Sequence, residues 1–198
     1  MPTKAYVILY NQDLIEVPIK SDTNPYDPNI PWYCRGMPQF FGGNVDGFYG
    51  EGEIPLGVLE DHLKKEIAEE SRRSLALNVL YYDYLYHALF RGSHYDFFSC
   101  AQNGLQGNPR WVRLIGEWPA MGPWLPKESE MKNVVTVHWE QFNNPPLGEN
   151  PTDETLIARL LSLTAPAGGA GMAEFMGSHT RTAFIRFFRE IWIPMDRG

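Results

Sequence analysis

Glu66, Glu69 and Glu70 fall at positions i, i+3 and i+4 of the run Lys65-Glu66-Ile67-Ala68-Glu69-Glu70. On a helix this spacing gathers three carboxylates on one side, within reach of a common point. Three like charges so close repel one another unless something positive sits among them. A hard divalent cation such as Mg²⁺ is the natural counter-charge, because it takes oxygen ligands and then binds phosphates. Upstream stand Gly42-Gly43, and the chain stays glycine-rich through Gly47, Gly50 and Gly52. That density implies tight turns or close approach of the backbone to a ligand. Taken alone, the glycines read as a hairpin loop and the glutamates as a solvated helical face. Their combination favours a site.

The helix that must carry the glutamates reads from Leu56 to about Ser74. Leu59, Leu63 and Ile67 recur at i, i+4 and i+8 and form its apolar stripe. At about 100° per residue, Glu66 and Glu70 fall beside that stripe, with Glu69 next to them. Lys65, Asp61 and Arg72 fall on the solvated side. The glutamates therefore lie at the rim of the buried face, where a cleft-lining residue belongs.

Around this helix, Lys4 to Tyr10 reads as a strand and Leu14 to Ile19 as a second, short one. Ser21 to Pro38, rich in Pro, Asn and Asp, reads as a loop. Leu75 to Phe90 fits either helix or strand. Tyr95 to Ala101, Arg110 to Trp118 and Lys132 to Trp139 read as strands. Asp153 is placed to cap a helix over Glu154 to Leu163. Ala165 to Gly171 is a small-residue break, and a last helix runs from Thr180 to about Ile191 with Phe184, Phe187, Phe188 and Ile191 on one side. Gly168-Gly169-Ala170-Gly171 lacks the Lys-Ser/Thr of a phosphate loop, so it reads as a connector or lid.

Composition narrows the field. The 198 residues are 43% hydrophobic and 14% aromatic, enough for a real core in one domain with additions. A net charge of −7 argues against a broad nucleic-acid surface, which needs clustered Lys and Arg. It leaves room for a small phosphorylated substrate carried on a metal ion. Two cysteines, Cys34 and Cys100, make no disulfide framework, and with no signal peptide or membrane-length apolar run the expected setting is the cytoplasm, away from membranes. The five histidines show no metal-ligand spacing. Trp32, Tyr33, Phe97 and Trp139 have the chemistry to stack on a base, although most aromatics here must serve the core.

With these residues in hand, the chain resembles the Nudix hydrolase superfamily. That family's box is a glycine, five residues, a glutamate, seven residues, then Arg-Glu-aliphatic-any-Glu-Glu-any-Gly. Lys65 to Glu70 match its second half with Lys for Arg, and Gly42-Gly43 match the pair that opens it. The strand order also fits, with Val134 to Trp139 and Phe142 resembling the family's late Trp-containing strand. The stretch from Gly43 to Lys65 is several residues too long, so an insertion between Gly47 and Gly57 is expected, leaving Glu51 or Glu53 as the first glutamate. The glycine expected after the helix is Arg72, so the helix is expected to run on.

The resemblance implies an α/β fold, an α/β/α sandwich with a mixed sheet, over residues 1–163. Residues 164–198 would add a Gly-rich connector and a C-terminal helix packed on the same domain, or on a second chain in a homodimer. It implies hydrolysis of a pyrophosphate bond in a nucleoside diphosphate linked to another group, with Mg²⁺ or Mn²⁺. Glu66, Glu69 and Glu70 would hold the metal and, with Lys65, form the catalytic set. The backbone of Gly43 or Gly42 would add a ligand, and Glu130 or Glu128 another. The Lys65 substitution and the insertion motivate an alternative, a Nudix-fold nucleotide-binding or regulatory module with little or no turnover.

Overall fold

The computed structural model describes residues 2–49, 54–78, 82–103, 108–114, 123–165 and 176–198. In chain order the elements are β1 (Pro2–Tyr10), β2 (Leu14–Lys20), β3 (Phe41–Tyr49), α1 (Leu56–Glu70), β4 (Leu75–Leu77), β5 (Asp83–Phe90), β6 (Ser93–Ala101), β7 (Trp111–Arg113), a 3₁₀ turn (Pro126–Ser129), β8 (Met131–His138), α2 (Trp139–Phe142), α3 (Asp153–Thr164), α4 (Ser178–Arg186) and a π-helical turn (Phe187–Trp192).

β1 is the spine. It pairs parallel with β6 along Thr3 to Tyr10, while its other edge is shared. β3 runs antiparallel to Pro2–Val7, and β2 takes over at Leu9 and Tyr10. Beyond β2 lies β8, and beyond β6 lies β5, giving a six-stranded mixed sheet; β4 and β7 form a separate two-stranded ribbon. β1 is buried on both faces, which is why its sequence is a nearly continuous apolar run. Ala5, Val7 and Leu9 pack with Leu59, Leu63 and Ile67 of α1. Ile8 and Tyr10 point the other way, into a core shared with α3, α4 and Trp192. The result is the α/β/α sandwich with a mixed sheet that the sequence implies. Phe184, Phe187, Phe188 and Trp192 belong to the same core as the sheet residues Ile15, Val17 and Val137.

Several sequence expectations change. The ambiguous stretch after α1 is two strands, β4 and β5. Helix α3 starts one residue earlier than expected and is capped by Thr152, whose hydroxyl accepts from the Thr155 N–H at 3.2 Å, with Asp153 inside the first turn. Trp139 leaves the strand and opens α2. Helix α1 does not run on through Arg72. It stops at Glu70, because the Arg73 N–H reaches back to the Ala68 carbonyl at 2.7 Å and the Arg72 N–H to the Glu69 carbonyl at 3.0 Å. These two bonds form a Schellman stop, with Arg72 in the left-handed conformation (φ 48°) that glycine usually supplies. Glu51, Glu53, the Gly168–Gly171 segment and the end of the Arg110–Trp118 stretch lie outside the described residues. Among the described residues, no helix is long and apolar enough to cross a membrane, and Cys34 and Cys100 are free thiols.

Candidate active site

The fork in the sheet, where β3 and β2 part from β1, opens a cleft of about 450 Å³. Lys4 and Tyr6 reach it from β1, Lys20 from the end of β2, Gly42 to Asn44 and Asp46 from β3, and Glu66 and Glu70 from α1. Lys127, Glu130 and Met131 close it from the far side, with Tyr26 and Trp32 from the 21–38 loop.

Gly42 and Glu70 are fitted to each other. The Gly42 N–H donates to Glu70 Oε2 at 2.9 Å. Gly42 has φ 143°, and a Cβ there would stand 2.0 Å from the Ala5 carbonyl oxygen on the paired strand. No side chain fits, so glycine is obligatory. Gly43 is different: a Cβ there would meet Glu66 Oε2 at 3.6 Å, ordinary contact distance, filling the space beside that carboxylate. The glycine pair thus brings the β3 backbone against the two glutamates.

Glu70 is 1% exposed, and its second oxygen, Oε1, is buried with no hydrogen-bond partner. Burial, and then the charge of Glu66, push its carboxyl well above the usual carboxylate range, against the opposing pull of the Gly42 hydrogen bond. Burial, then the charges of Glu69 and Glu130, push Glu66 up to about 7. His62, one turn before Glu66, is buried, and its Nε2 lies 3.3 Å from the Ala5 carbonyl. That oxygen only accepts, so Nε2 carries the proton; Nδ1 faces Glu66 Oε1 at 3.8 Å. Desolvation lowers the imidazole's pKa, so it brings no positive charge to the pair at neutral pH.

The other expected site residues divide. Glu130 is in the cleft, its carboxylate accepting a hydrogen bond from the Tyr26 hydroxyl. Its alternative, Glu128, is used locally, accepting from the Leu125 N–H at 2.9 Å. Glu69 is half-buried on α1 beside Glu66 and is not part of the cleft lining. Lys65 pairs at 3.2 Å with Asp46 in an exposed contact, rather than with Glu66. Sequence reasoning misses Lys4, Lys20 and Lys127, which bring positive charge to the same cleft, and Tyr26. Lys20 lies 4.1 Å from the Trp32 ring centroid, and burial lowers its pKa. Alternation along β2 puts Lys20 at a strand end, but only the β2–β8 and β1–β3 pairing shows that this end faces the glutamates.

The donor set fits a hard cation. It consists of carboxylate oxygens, one of them buried and unpartnered, beside backbone that no side chain obstructs. Among the described residues, no group of three or more His, Cys, Asp or Glu stands close enough to form a closed cage. Mg²⁺ is commonly held by one or two carboxylates, with waters and substrate phosphates completing its shell, and the Glu66–Glu70 pair matches that mode better than an all-protein cage.

No protein-family model matches the chain, and no curated protein sequence does. Solved structures of Nudix proteins are similar to it. A MutT protein from Methanosarcina mazei is 12% identical over 96% of this chain and 94% of that one, with a TM-score of 0.46. The Nudix domain of Shewanella oneidensis NrtR, solved with ADP-ribose, is 14% identical over 69% of this chain and 71% of its own, with a TM-score of 0.36. An ADP-ribose pyrophosphatase from Streptococcus suis is 14% identical over 96% and 95%, with a TM-score of 0.37. At such identities the chemistry has to be read from this chain's own residues.

Proposed function

We propose that the chain is a divalent-metal-dependent hydrolase that cleaves the pyrophosphate bond of a nucleoside diphosphate linked to a second group. The observation that carries this reading is the meeting of buried Glu70 and half-buried Glu66 with the Gly42-Gly43 backbone, in a cleft to which Lys4, Lys20 and Lys127 also contribute. Two crowded carboxyls whose ionisation is disfavoured by burial and by each other are costly in a purely structural role and typical of a site that binds a cation.

Glu66 and Glu70 would hold Mg²⁺ or Mn²⁺, with the Gly43 carbonyl as a further oxygen donor and waters and substrate phosphates completing the shell. The bound cation would neutralise phosphate charge and lower the pKa of a bound water from about 16 toward 7. Lys4, Lys20 and Lys127 would offset the remaining phosphate charge. A glutamate of the set would accept the proton from the attacking water. The cleft's volume suits a nucleotide-sized ligand.

The test is release of a nucleoside monophosphate from nucleotide sugars, ADP-ribose, dinucleotides and nucleoside triphosphates with Mg²⁺ or Mn²⁺. Glu70→Gln and Glu66→Gln should lower kcat by about 10² to 10⁴ without unfolding the protein. Turnover untouched by both variants, or no turnover of any substrate, sinks the hydrolase reading. One feature favours the second reading, a nucleotide-binding module without turnover: Lys65 is committed to Asp46 rather than to a glutamate of the set. That reading predicts that nucleotide raises the melting temperature and is recovered intact.

A further inference from the structure

Arg72 stands where a helix stop normally carries glycine, and its left-handed backbone is uncommon for a residue with a side chain. The side chain has a defined use. Its Nε donates to the Glu128 carbonyl at 3.0 Å, and its guanidinium lies 5.2 Å from the Trp124 ring centroid. Both partners belong to the segment around the 3₁₀ turn Pro126–Ser129, which presents Lys127 and Glu130 to the cleft. The turn is closed within itself, with the Glu128 carboxylate on the Leu125 N–H and the Ser129 hydroxyl on the Leu125 carbonyl at 3.2 Å. On its other side it is tied to the 21–38 loop, through the Ser21 N–H on the Glu130 carbonyl at 2.8 Å and the Tyr26 hydroxyl on the Glu130 carboxylate. Arg72 thus fastens this self-closed turn to the end of the helix that carries Glu66 and Glu70.

We infer that Arg72 is a positioning residue that sets the distance between the Glu66–Glu70 pair and the Lys127–Glu130 edge of the cleft; this rests on the hydrolase reading above. A glycine would make the same helix stop without strain but would remove the turn's side-chain hydrogen bond and ring contact to the end of α1. Since a misplacement of about 1 Å can cost up to about 10²-fold in rate, a loosened turn should show in kcat before it shows in folding.

The experiment compares wild type, Arg72→Gly and Arg72→Lys by hydrogen exchange of residues 124–131, by thermal melting, and by kcat and KM on whichever substrate the wild type consumes. In Arg72→Gly we expect a melting temperature within about 2 °C of wild type, strain relief offsetting lost contacts. Exchange across 124–131 should rise about tenfold, with α1 unchanged. The kcat should fall about tenfold while KM moves less than about twofold. Arg72→Lys, which restores a donor, should recover part of the protection and of the rate. Unchanged exchange across 124–131 overturns the inference, and so does raised exchange with wild-type kcat. If Arg72→Gly fails to fold, Arg72→Lys gives the same readouts at smaller size. If the wild type consumes no substrate, the hydrolase reading fails, and the exchange data alone decide whether Arg72 holds the turn.

Discussion

The two faces of the central sheet are built to different ends. On the α3–α4 face, Phe40, Phe97, Phe142, Phe184, Phe187, Phe188 and Trp192 are essentially fully buried. Their rings meet tilted, edge-on or stacked, Phe40 and Phe184 tilted at 4.6 Å and Phe142 and Phe188 tilted at 4.7 Å, with Phe184 stacked on Phe188. The one polar tip among them is satisfied, with Trp192 Nε1 donating to the Asn11 carbonyl at 2.9 Å. On the α1 face the same kind of apolar packing runs out at the fork, where Glu70 is buried with a bare oxygen and Glu66 lies beside it. One face spends its sequence on packing. The other accepts the cost of buried like charge, as proteins do where local rules yield to a site.

The contrast can be broken at several points. The largest effect should come from Gly42→Ala, which drives a Cβ into the β1 backbone at 2.0 Å. The loss should exceed about 4 kcal/mol, enough to leave a marginally stable domain unfolded, as read by circular dichroism. Next, Phe188→Ala on the opposite face should cost about 3–4 kcal/mol in urea denaturation. It should leave Mn²⁺ affinity and turnover per folded molecule unchanged; a fall in either would show that the two faces are coupled and the comparison too simple. Gly43→Ala sharpens the glycine pair itself. Its Cβ is accommodated at 3.6 Å from Glu66 Oε2, so stability should change by less than about 1 kcal/mol. Mn²⁺ binding measured by calorimetry should nevertheless weaken about tenfold, or about 1.4 kcal/mol, because the methyl group fills the space beside the carboxylate.

The smallest expected effect is a pH dependence on the packed face. His179 lies among Tyr95 and Phe90, with Lys4 and Lys20 as the nearby charges, and burial followed by those two ammoniums lowers its pKa to about 4. The unfolded chain, with an ordinary histidine near 6.5, binds more protons between these values. Its contribution to stability is therefore full above pH 6.5 and is lost as pH falls toward 4. The size is on the order of 1 kcal/mol once solvent screening of a partly exposed ring is allowed for. Urea midpoints should fall across that window in the wild type, and the fall should be smaller in His179→Phe.

Much of the frame is legible in local sequence patterns. The apolar run of β1, the stripe Leu59–Leu63–Ile67 and the alternation around Val135 and Val137 are such patterns, and each lies in the element it indicates. The end of α1 is not legible in this way, because nothing in Arg72 or Arg73 signals left-handed backbone. Their conformations are held by bonds to the preceding turn and, for Arg72, by contacts with Glu128 and Trp124, far along the chain. The lysines of the cleft escape sequence reasoning because Lys4, Lys20 and Lys127 sit on three elements whose meeting depends on how the strands pair.

The sequence by itself determined that three carboxylates share one side of a helix and that two glycines precede them, because helical spacing and the absence of a Cβ are local properties. The tertiary structure decided what those features do. Pairing of Gly42 with Tyr6 and Gly43 with Ala5 sets β3 against α1. That contact buries Glu70 and half-buries Glu66 in the cleft, while Glu69, next to Glu70 in sequence, stays out of the cleft lining and Lys65 turns to Asp46. The repulsion between the glutamates follows from their spacing on one helix, but their burial depends on distances between elements, which the strand register sets.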